Sequence, residues 1–209
     1  MERFTTVSGF AEARFTEKKS EFIGAVRPCE TAEEAARFVA ERRALYPDAR
    51  HHVWAFINPA GNVVRFDDDG EPKGTGGIPV LEVLKKDSLT GVCAVVTRYF
   101  GGILLGAGGL ARAYARGVRD AVEQAGVSAF CRFCRWQVAL PYALEQKASY
   151  ELEKRRFTVA DKAFADGVTL TVQGKETREA ELAAFLAELT GGKTAPLRLT
   201  TVFDKDDGT

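Results

Sequence analysis

The pattern of apolar and polar positions predicts two strands at the start of the chain and a helix directly after them. Apolar residues alternate or run together in residues 4–15 and 20–27, which is typical of a strand pair. Thr31 followed by Glu34 is a capping-box pattern that begins a helix, and Pro47 ends it. The residues expected on the buried face of this helix are Ala35, Phe38, Val39, Arg42 and Leu45.

The pattern continues through the middle of the chain with a hairpin, a helix, a buried strand and a second helix. Residues 51–66 predict the hairpin and residues 79–86 the helix. The mostly apolar segment at 91–100 is typical of a strand that is buried on both faces. The following helix begins near Gly108 and is closed by Gly126. Its apolar face is formed by Leu110, Tyr114, Val118 and Val122.

Strand and helix patterns alternate regularly in the last third of the chain. They predict a strand at 135–141, a helix at 142–156, a hairpin at 157–174, a helix at 176–192 and a strand at 196–203. The hairpin turns at Asp166 and Gly167, and the order βαββαβ is that of the split-βαβ, ferredoxin-like unit. We therefore expect an α+β protein of two domains, residues 1–134 and 135–209, with a frayed tail at 204–209.

Composition and charge narrow the class of protein. Hydrophobic residues make up 45% of the 209 residues and charged residues 28%, which is enough for packed cores. The 29 basic residues balance the 29 acidic ones, so net charge excludes a general polyanion binder and leaves local basic patches open. Since no apolar run approaches the ~18–20 residues that span a bilayer and no signal sequence is present, we expect a cytoplasmic protein without membrane contact. Its cysteines, expected to be reduced structural thiols, are Cys29, Cys93, Cys131 and Cys134.

Residues 66–114 combine closely spaced glycines with acidic side chains and contain the candidate site. The acidic residues are Asp67, Asp68, Asp69 and Glu71. Hard oxygens this close together can hold a hydrated magnesium ion, although Pro72 stands where a calcium loop would need glycine. The alternative is a turn whose aspartates accept hydrogen bonds from backbone amides. We adopt the turn, and we expect neither a metal nor a cofactor.

Glycines between the buried strand and the next helix suggest a place where an anion can approach backbone amides. Free amides at a helix start attract anions, but Ala107 stands where the Walker motif requires lysine. A nucleotide site of that kind is therefore excluded, and a smaller anion site stays open. His51 and His52 are adjacent in a predicted strand, so their side chains face opposite ways and at most one can join a given site.

Three blocks, in this order and spacing, resemble the YigZ/IMPACT family. They are ARHHVWAF at 49–56, DDDGEPKGTGG at 67–77 and TRYFGGILLGAGGLARAY at 97–114. The segment KKSEFIG at 18–24 is similar to the opening of the family. The resemblance is specific over residues ~15–125, and the last third is similar to the bacterial YigZ-like branch mostly by pattern.

This resemblance implies a first domain like the second domain of a small-subunit ribosomal protein, and a second domain like a ferredoxin-like module of elongation factor G. It favours a non-enzymatic protein that regulates translation by binding structured RNA, the ribosome or a translation factor. The alternative is a small-molecule enzyme, a phosphotransferase or hydrolase, that uses the acidic loop. The ligand or partner-binding candidates carried over by matched position are His51, Asp68, Asp69, Gly70, Glu71, Arg98, Tyr99, Gly101, Gly102, Gly106 and Gly109.

Arg98 carries the most specific structural prediction. It ends the buried strand, where a cation without a partner costs several kcal/mol. The helix between the loop and this strand can return Asp69 or Glu71 to the same edge. We therefore expect Arg98 within hydrogen-bonding reach of a loop carboxylate or of a bound anion.

Overall fold

A computed structural model describes residues 3–205, except for the side chain of Asp204. The chain divides into two compact units between Ala129 and Phe130. Both this division and residue 134, where the sequence places the domain boundary, lie within one long strand, β7 (Val127–Leu140). No helix within residues 3–205 has the length and apolar character needed to cross a membrane.

The first unit is built on a five-stranded antiparallel sheet. Its elements are β1 (Arg3–Val7), β2 (Ala11–Glu17), β3 (Ser20–Pro28), α1 (Ala32–Leu45), β4 (His51–Ile57), β5 (Val64–Asp67), α2 (Gly77–Lys86), β6 (Val92–Tyr99) and α3 (Ala107–Ala125). The strand order in the sheet is β2-β3-β6-β4-β5, and each neighbouring pair is antiparallel. The predicted hairpin, the three predicted helices and the central strand are confirmed.

The central strand β6 is buried on both faces, as its apolar run predicted. Val96 packs in the core that includes α2 and α3, whereas Val95 packs in the core that includes α1. Successive side chains of a strand point to opposite faces, so a strand between two helical layers must be apolar throughout. The sheet therefore lies between α1 on one face and α2 and α3 on the other.

Glycines let α3 lie directly against the sheet. A Cβ at Gly24 of β3 would lie 1.9 Å from the carbonyl oxygen of Gly117 in α3. No side chain fits in that space, so the two backbones are in contact. At its far end α3 closes on Gly126, which has a φ of +67°, as the sequence predicted.

Two predictions for this unit are wrong. The strand expected over residues 4–15 is two strands, because the chain leaves β1 after Val7 and the amide of Ser8 bonds to the carbonyl of Gly126 instead. Alternation alone gives no signal for such a break. Leu45 is 58% exposed, since the buried face of α1 ends at Arg42, which pairs with Glu12.

The second unit has the predicted order βαββαβ. After β7 come α4 (Tyr142–Lys154), β8 (Thr158–Phe164), β9 (Val168–Lys175), a 3-10 turn (Glu176–Arg178), α5 (Glu179–Thr190) and β10 (Leu197–Lys205). The sheet that contains β7 has five strands in the order β1-β7-β9-β8, with β10 also paired to β7. The pairs β10-β7, β7-β9 and β9-β8 are antiparallel, and the core of this unit includes Trp136, Leu152 and Leu182. The α+β fold of two domains is thereby confirmed.

The ends of the elements in this unit differ from the sequence prediction. The first strand begins at Val127 rather than at residue 135. The last strand extends to Lys205, so the first two residues of the expected frayed tail belong to β10, and residues 206–209 lie outside the described part of the chain. All four cysteines of the chain are buried.

Candidate functional site

The loop between β5 and α2 is a closed turn organised by Asp68. Its carboxylate accepts hydrogen bonds from the amides of Gly74 at 2.7 Å, Gly76 at 2.9 Å and Gly77 at 2.8 Å. Burial alone raises the pKa of Asp68, but these three amides outweigh it and hold the pKa below its usual value. The N-cap residue of α2, Gly76, has no side chain, and the Asp68 carboxylate accepts the amides at this helix start in its place.

The neighbouring aspartates tie the same loop to β4 and α1. The Asp69 carboxylate accepts from the backbone amide of His52 at 2.6 Å and from the Arg43 guanidinium at 2.7 Å. Asp67 accepts from the amide of Asp69 at 2.6 Å. The predicted turn is therefore confirmed. Within residues 3–205 no three His, Cys, Asp or Glu side chains lie close enough together to hold a metal ion.

Glu71 is the loop carboxylate that Arg98 contacts, as the sequence predicted for one of the loop acids. Arg98 Nη1 donates to Glu71 Oε1 at 2.6 Å, and both side chains are about 5% exposed or less. The Tyr114 hydroxyl of α3 donates to the same oxygen at 2.6 Å. Burial, followed by the hydrogen bond to Glu71, raises the pKa of Tyr114 far above its usual value, so this hydroxyl stays a donor.

The Arg98 guanidinium is not fully satisfied by this pair. Its Nη2 is 3.5 Å from the Ser20 hydroxyl, and Nε has no hydrogen-bond partner in the described structure. The guanidinium carbon lies 5.5 Å from the ring centroid of Phe22 and 5.4 Å from that of Phe100. Arg98 is thus a buried cation whose N–H donors are not all used in hydrogen bonds.

A cleft of about 340 Å³ opens beside this cluster. Its charged and polar lining consists of Arg50, His51, Glu71 and Arg98. Gly106 and Ala107, at the start of α3, also line it, and its apolar lining includes Phe100, Leu104 and Leu105. We call this pocket the cleft. It brings together four of the predicted site residues, which are His51, Glu71, Arg98 and Gly106.

The first turn of α3 forms one wall of the cleft and is uncapped. Gly106 is the N-cap residue, with a φ of +72°, and no side chain bonds to the first amides. The first intrahelical bond runs from the Leu110 amide to the Gly106 carbonyl, so the amides of Ala107, Gly108 and Gly109 precede it without an intrahelical acceptor. The first turn contains no acidic residue. Such a terminus carries partial positive charge.

A second pocket, of about 320 Å³, runs along the exposed face of α3. Four cationic side chains line it, and we call it the basic groove: Lys18, Arg112, Arg116 and Arg119. Phe15 and Glu17 of β2 also line it. The sequence analysis missed this groove, although the arginine spacing was a usable signal. Residues three, four and seven positions apart share one helical face, and here that face is polar.

The other predicted residues do not join the cleft. Tyr99 points to the opposite face of β6 from Arg98, where its ring lies edge-on to that of Tyr46 with centroids 6.5 Å apart. The Gly101 amide bonds to the Ser20 hydroxyl at 3.1 Å, and a Cβ there would lie 1.9 Å from the Lys19 carbonyl oxygen.

The remaining glycines and the histidines have local roles. Gly70 and Gly102 both have a φ of +84°, which only glycine adopts readily, and Gly109 lines the basic groove. His51 lines the cleft with its Nδ1 2.8 Å from the Asp69 carbonyl oxygen. His52 is buried instead, with Nδ1 3.0 Å from the Thr97 hydroxyl. The two histidine side chains therefore lie on opposite faces of β4, as their adjacent positions in a strand predicted.

The fold and the site define a protein of two α+β modules, with its predicted site residues in the first. A model of the "Impact N-terminal domain" matches residues 18–122, and a "Domain of unknown function (DUF1949)" matches residues 138–193. The chain belongs to the IMPACT family.

Individual relatives and a solved structure agree with this assignment. The chain is 34% identical over 192 residues to the IMPACT family member YvyE of Bacillus subtilis (strain 168), covering 91% of this chain and 88% of that protein. It is 46% identical over 110 residues to the IMPACT family member YigZ of Escherichia coli (strain K12), about half of each protein. A crystal structure described as that of "an hypothetical protein" matches with a TM-score of 0.68 and 32% identity, over 96% of this chain and 98% of that one.

Proposed function

We propose that this protein is a non-enzymatic binder of structured RNA, free or as part of the ribosome or of a translation-factor complex. The observation that carries the proposal is the basic groove on α3. Positively charged grooves follow the phosphate backbone of nucleic acids, and phosphate contacts supply most of the affinity. The groove has four cations against the single carboxylate of Glu17.

Three of the four cations have no internal counter-ion. Lys18, Arg112 and Arg119 form no ion pair within residues 3–205. Arg116 is 3.3 Å from Asp120 and lies 4.2 Å from the ring centroid of Phe15. Exposed cations gathered on one face without partners are typical of a surface that meets polyanions.

The turn at one end of the groove holds lysine in a strained backbone conformation. Lys18 and Lys19 have φ angles of +45° and +66° in the two-residue turn between β2 and β3, positions that usually carry asparagine or glycine. Such strain costs about 1–3 kcal/mol and persists where the surroundings or a function require it. The turn therefore supports the proposal by placing Lys18 in the lining of the groove.

The alternative, a small-molecule enzyme that uses the acidic loop, is less well supported. Such an enzyme needs loop carboxylates that are available to a metal or a substrate. Asp67, Asp68 and Asp69 instead accept backbone amides, and Glu71 is shared by Arg98 and Tyr114. These contacts make the acidic loop a structural brace.

Translation is the proposed setting because the sequence resembles a family associated with it. The βαββαβ order of the second unit is also compatible with a module of the elongation-factor type. The formal net charge of zero argues against tight non-specific binding, so affinity should be moderate and should depend on RNA shape.

Fluorescence anisotropy with a labelled RNA hairpin, and pelleting with purified ribosomes, test the proposal. Each is measured over a salt series for the wild-type chain and for Arg112→Glu/Arg119→Glu. Removing two phosphate contacts should make the slope of log K against log salt shallower by about 1.4–1.8. The matched control is Lys147→Glu/Lys154→Glu, which reverses two exposed charges at the same spacing on α4.

The control variant should bind as the wild type does. The proposal would be rejected if the wild-type chain bound neither the RNA hairpin nor ribosomes at low salt. Equal losses in the two double variants would show that the groove is not the binding surface.

A further inference from the structure

We infer that the cleft is a binding site for a phosphate monoester, the terminal phosphate of either a free nucleotide or an RNA 5′ end. This inference goes beyond the proposed function, since it concerns a different pocket and does not need the basic groove. It depends on three features of the cleft, which are the uncapped start of α3, the incompletely paired Arg98 and an apolar wall.

The start of α3 supplies directed donors for an anion. The amides of Ala107, Gly108 and Gly109 have no intrahelical acceptor, and no side chain caps them. Ala107 lines the cleft, whereas Gly109 lines the basic groove. A helix of 19 residues adds the partial positive charge of its macrodipole at this end. Gly106 lines the cleft and has no side chain to block the approach of a phosphate.

Arg98 is the second, independent observation. It is 4% exposed and lines the cleft, and its Nη2 has only a 3.5 Å contact with the Ser20 hydroxyl. A guanidinium with one short hydrogen bond and one long contact can donate to a further acceptor. An anion in the cleft supplies negative charge beside this guanidinium without displacing Glu71.

The balance of charge in the cleft favours an anion. Its lining has two arginines, Arg50 and Arg98, against one carboxylate, that of Glu71. Arg50 is exposed at the cleft and forms no ion pair within the described residues. Arg50 is therefore available to a ligand, while Glu71 is already neutralised by Arg98.

The apolar wall indicates what accompanies the phosphate. Phe100 is 44% exposed and Leu104 is 81% exposed, and both line the cleft. Exposed apolar side chains beside a phosphate-binding turn suit the sugar and base of a nucleotide, because a base stacks or packs on apolar surface. The volume of about 340 Å³ lies at the lower end of the range for small-molecule sites, roughly 300–1,000 Å³.

The variant Ala107→Glu tests the site without damaging the fold. Ala107 is exposed in the first turn of α3, where a carboxylate stabilises a helix. The same carboxylate occupies the place of the proposed phosphate and repels it. Thermal unfolding should therefore occur at the same or a higher temperature, whereas binding should weaken by about tenfold or more. The matched control is Ala184→Glu at an exposed position of α5.

Isothermal titration and backbone-amide NMR of the full chain measure binding of AMP, inorganic phosphate and adenosine. We expect saturable amide shifts at Ala107–Gly109 with AMP and with phosphate, stronger for AMP, and none with adenosine. Ala107→Glu should lose them and Ala184→Glu should keep them. Equal shifts with adenosine and AMP, or no saturation with either anion at millimolar concentration, would overturn the inference.

An RNA pair distinguishes the two sources of the phosphate. A hairpin with a single-stranded 5′ extension is prepared with a 5′-phosphate and with a 5′-hydroxyl, and each is titrated into wild type and Ala107→Glu. Tighter binding of the phosphorylated RNA that is lost in Ala107→Glu assigns the site to RNA ends. Binding of AMP without that preference assigns it to free nucleotides.

This experiment separates the two proposals. If both RNAs bind equally and AMP does not bind, the phosphate site is rejected and the RNA-binding groove stands. If AMP binds and neither the two RNAs nor purified ribosomes do, the phosphate site stands and the proposed function is rejected.

Discussion

The acidic loop and the basic groove lie in the same unit and are both rich in charge, but they use it in opposite ways. Every acidic side chain from Asp67 to Glu71 accepts a hydrogen bond from the protein itself. In the groove, Lys18, Arg112 and Arg119 have no internal ion pair within the described residues. A charged cluster indicates a ligand only when the fold leaves it without partners, and by that criterion the groove is the better candidate.

The comparison predicts that the loop contributes stability and the groove contributes binding. The largest effect is expected for Arg98→Ala, which leaves the Glu71 carboxylate buried without its cation. Breaking a buried pair in this way should lower the free energy of unfolding by roughly 3–5 kcal/mol. Urea unfolding followed by circular dichroism measures it. The control is Arg119→Ala, an exposed arginine of the groove.

Replacing both members of the buried pair sharpens this test. Arg98→Met/Glu71→Met should recover much of the loss, because the cost comes mainly from an uncompensated charge. An Arg98→Ala chain as stable as wild type would show that the acidic loop does not brace the fold.

A smaller loss is expected for Asp68→Ala. This change removes the acceptor of three amides, those of Gly74, Gly76 and Gly77. Because the loop is partly open to water, the expected loss is about 1–3 kcal/mol rather than the sum of three buried bonds. Asp68→Asn, which keeps one acceptor oxygen, should lose less in the same urea titration. Equal losses for the two variants would contradict the capping role.

The Asp68 carboxylate also predicts a pH dependence. Its pKa is lowered in the folded protein from the ordinary 3.8. A group of this kind contributes stability above its unfolded pKa, and the contribution is lost as the pH falls through the folded pKa. Stability should therefore decline below about pH 4, and Asp68→Asn should show a shallower decline than wild type. If the free energy of unfolding of wild type and of Asp68→Asn fell equally with pH, Asp68 would not be the source of the pH dependence.

The smallest effect on stability is expected in the groove. Arg112→Glu/Arg119→Glu changes exposed side chains, so the free energy of unfolding should stay within about 0.5 kcal/mol of wild type. The same chain should show the loss of RNA affinity described above. A loss of unfolding free energy as large as that of Arg98→Ala would mean that the groove arginines, like the acidic loop, are structural.

Much of the fold was determined by sequence features that act locally. A period of two or of 3.6 residues in the apolar positions marked the strands and helices, and Gly126 marked the end of α3 because few other residues adopt its φ of +67°. The βαββαβ order of the second unit followed from the same patterns. The sequence also predicted a partner for Arg98, either a loop acid or a bound anion, because a buried cation requires one, and the loop acid Glu71 is found.

Only the tertiary structure decided which residues meet. Arg98 pairs with Glu71 rather than with Asp69, and the Tyr114 hydroxyl donates to the same Glu71 oxygen. Both contacts depend on how α2 and α3 lie on the sheet. The break after Val7 depends on a hydrogen bond to Gly126, far away in the chain. These contacts join residues distant in sequence, and no local period encodes them. The sequence contained the charges of the loop and of the groove, but packing decided which of them would be neutralised.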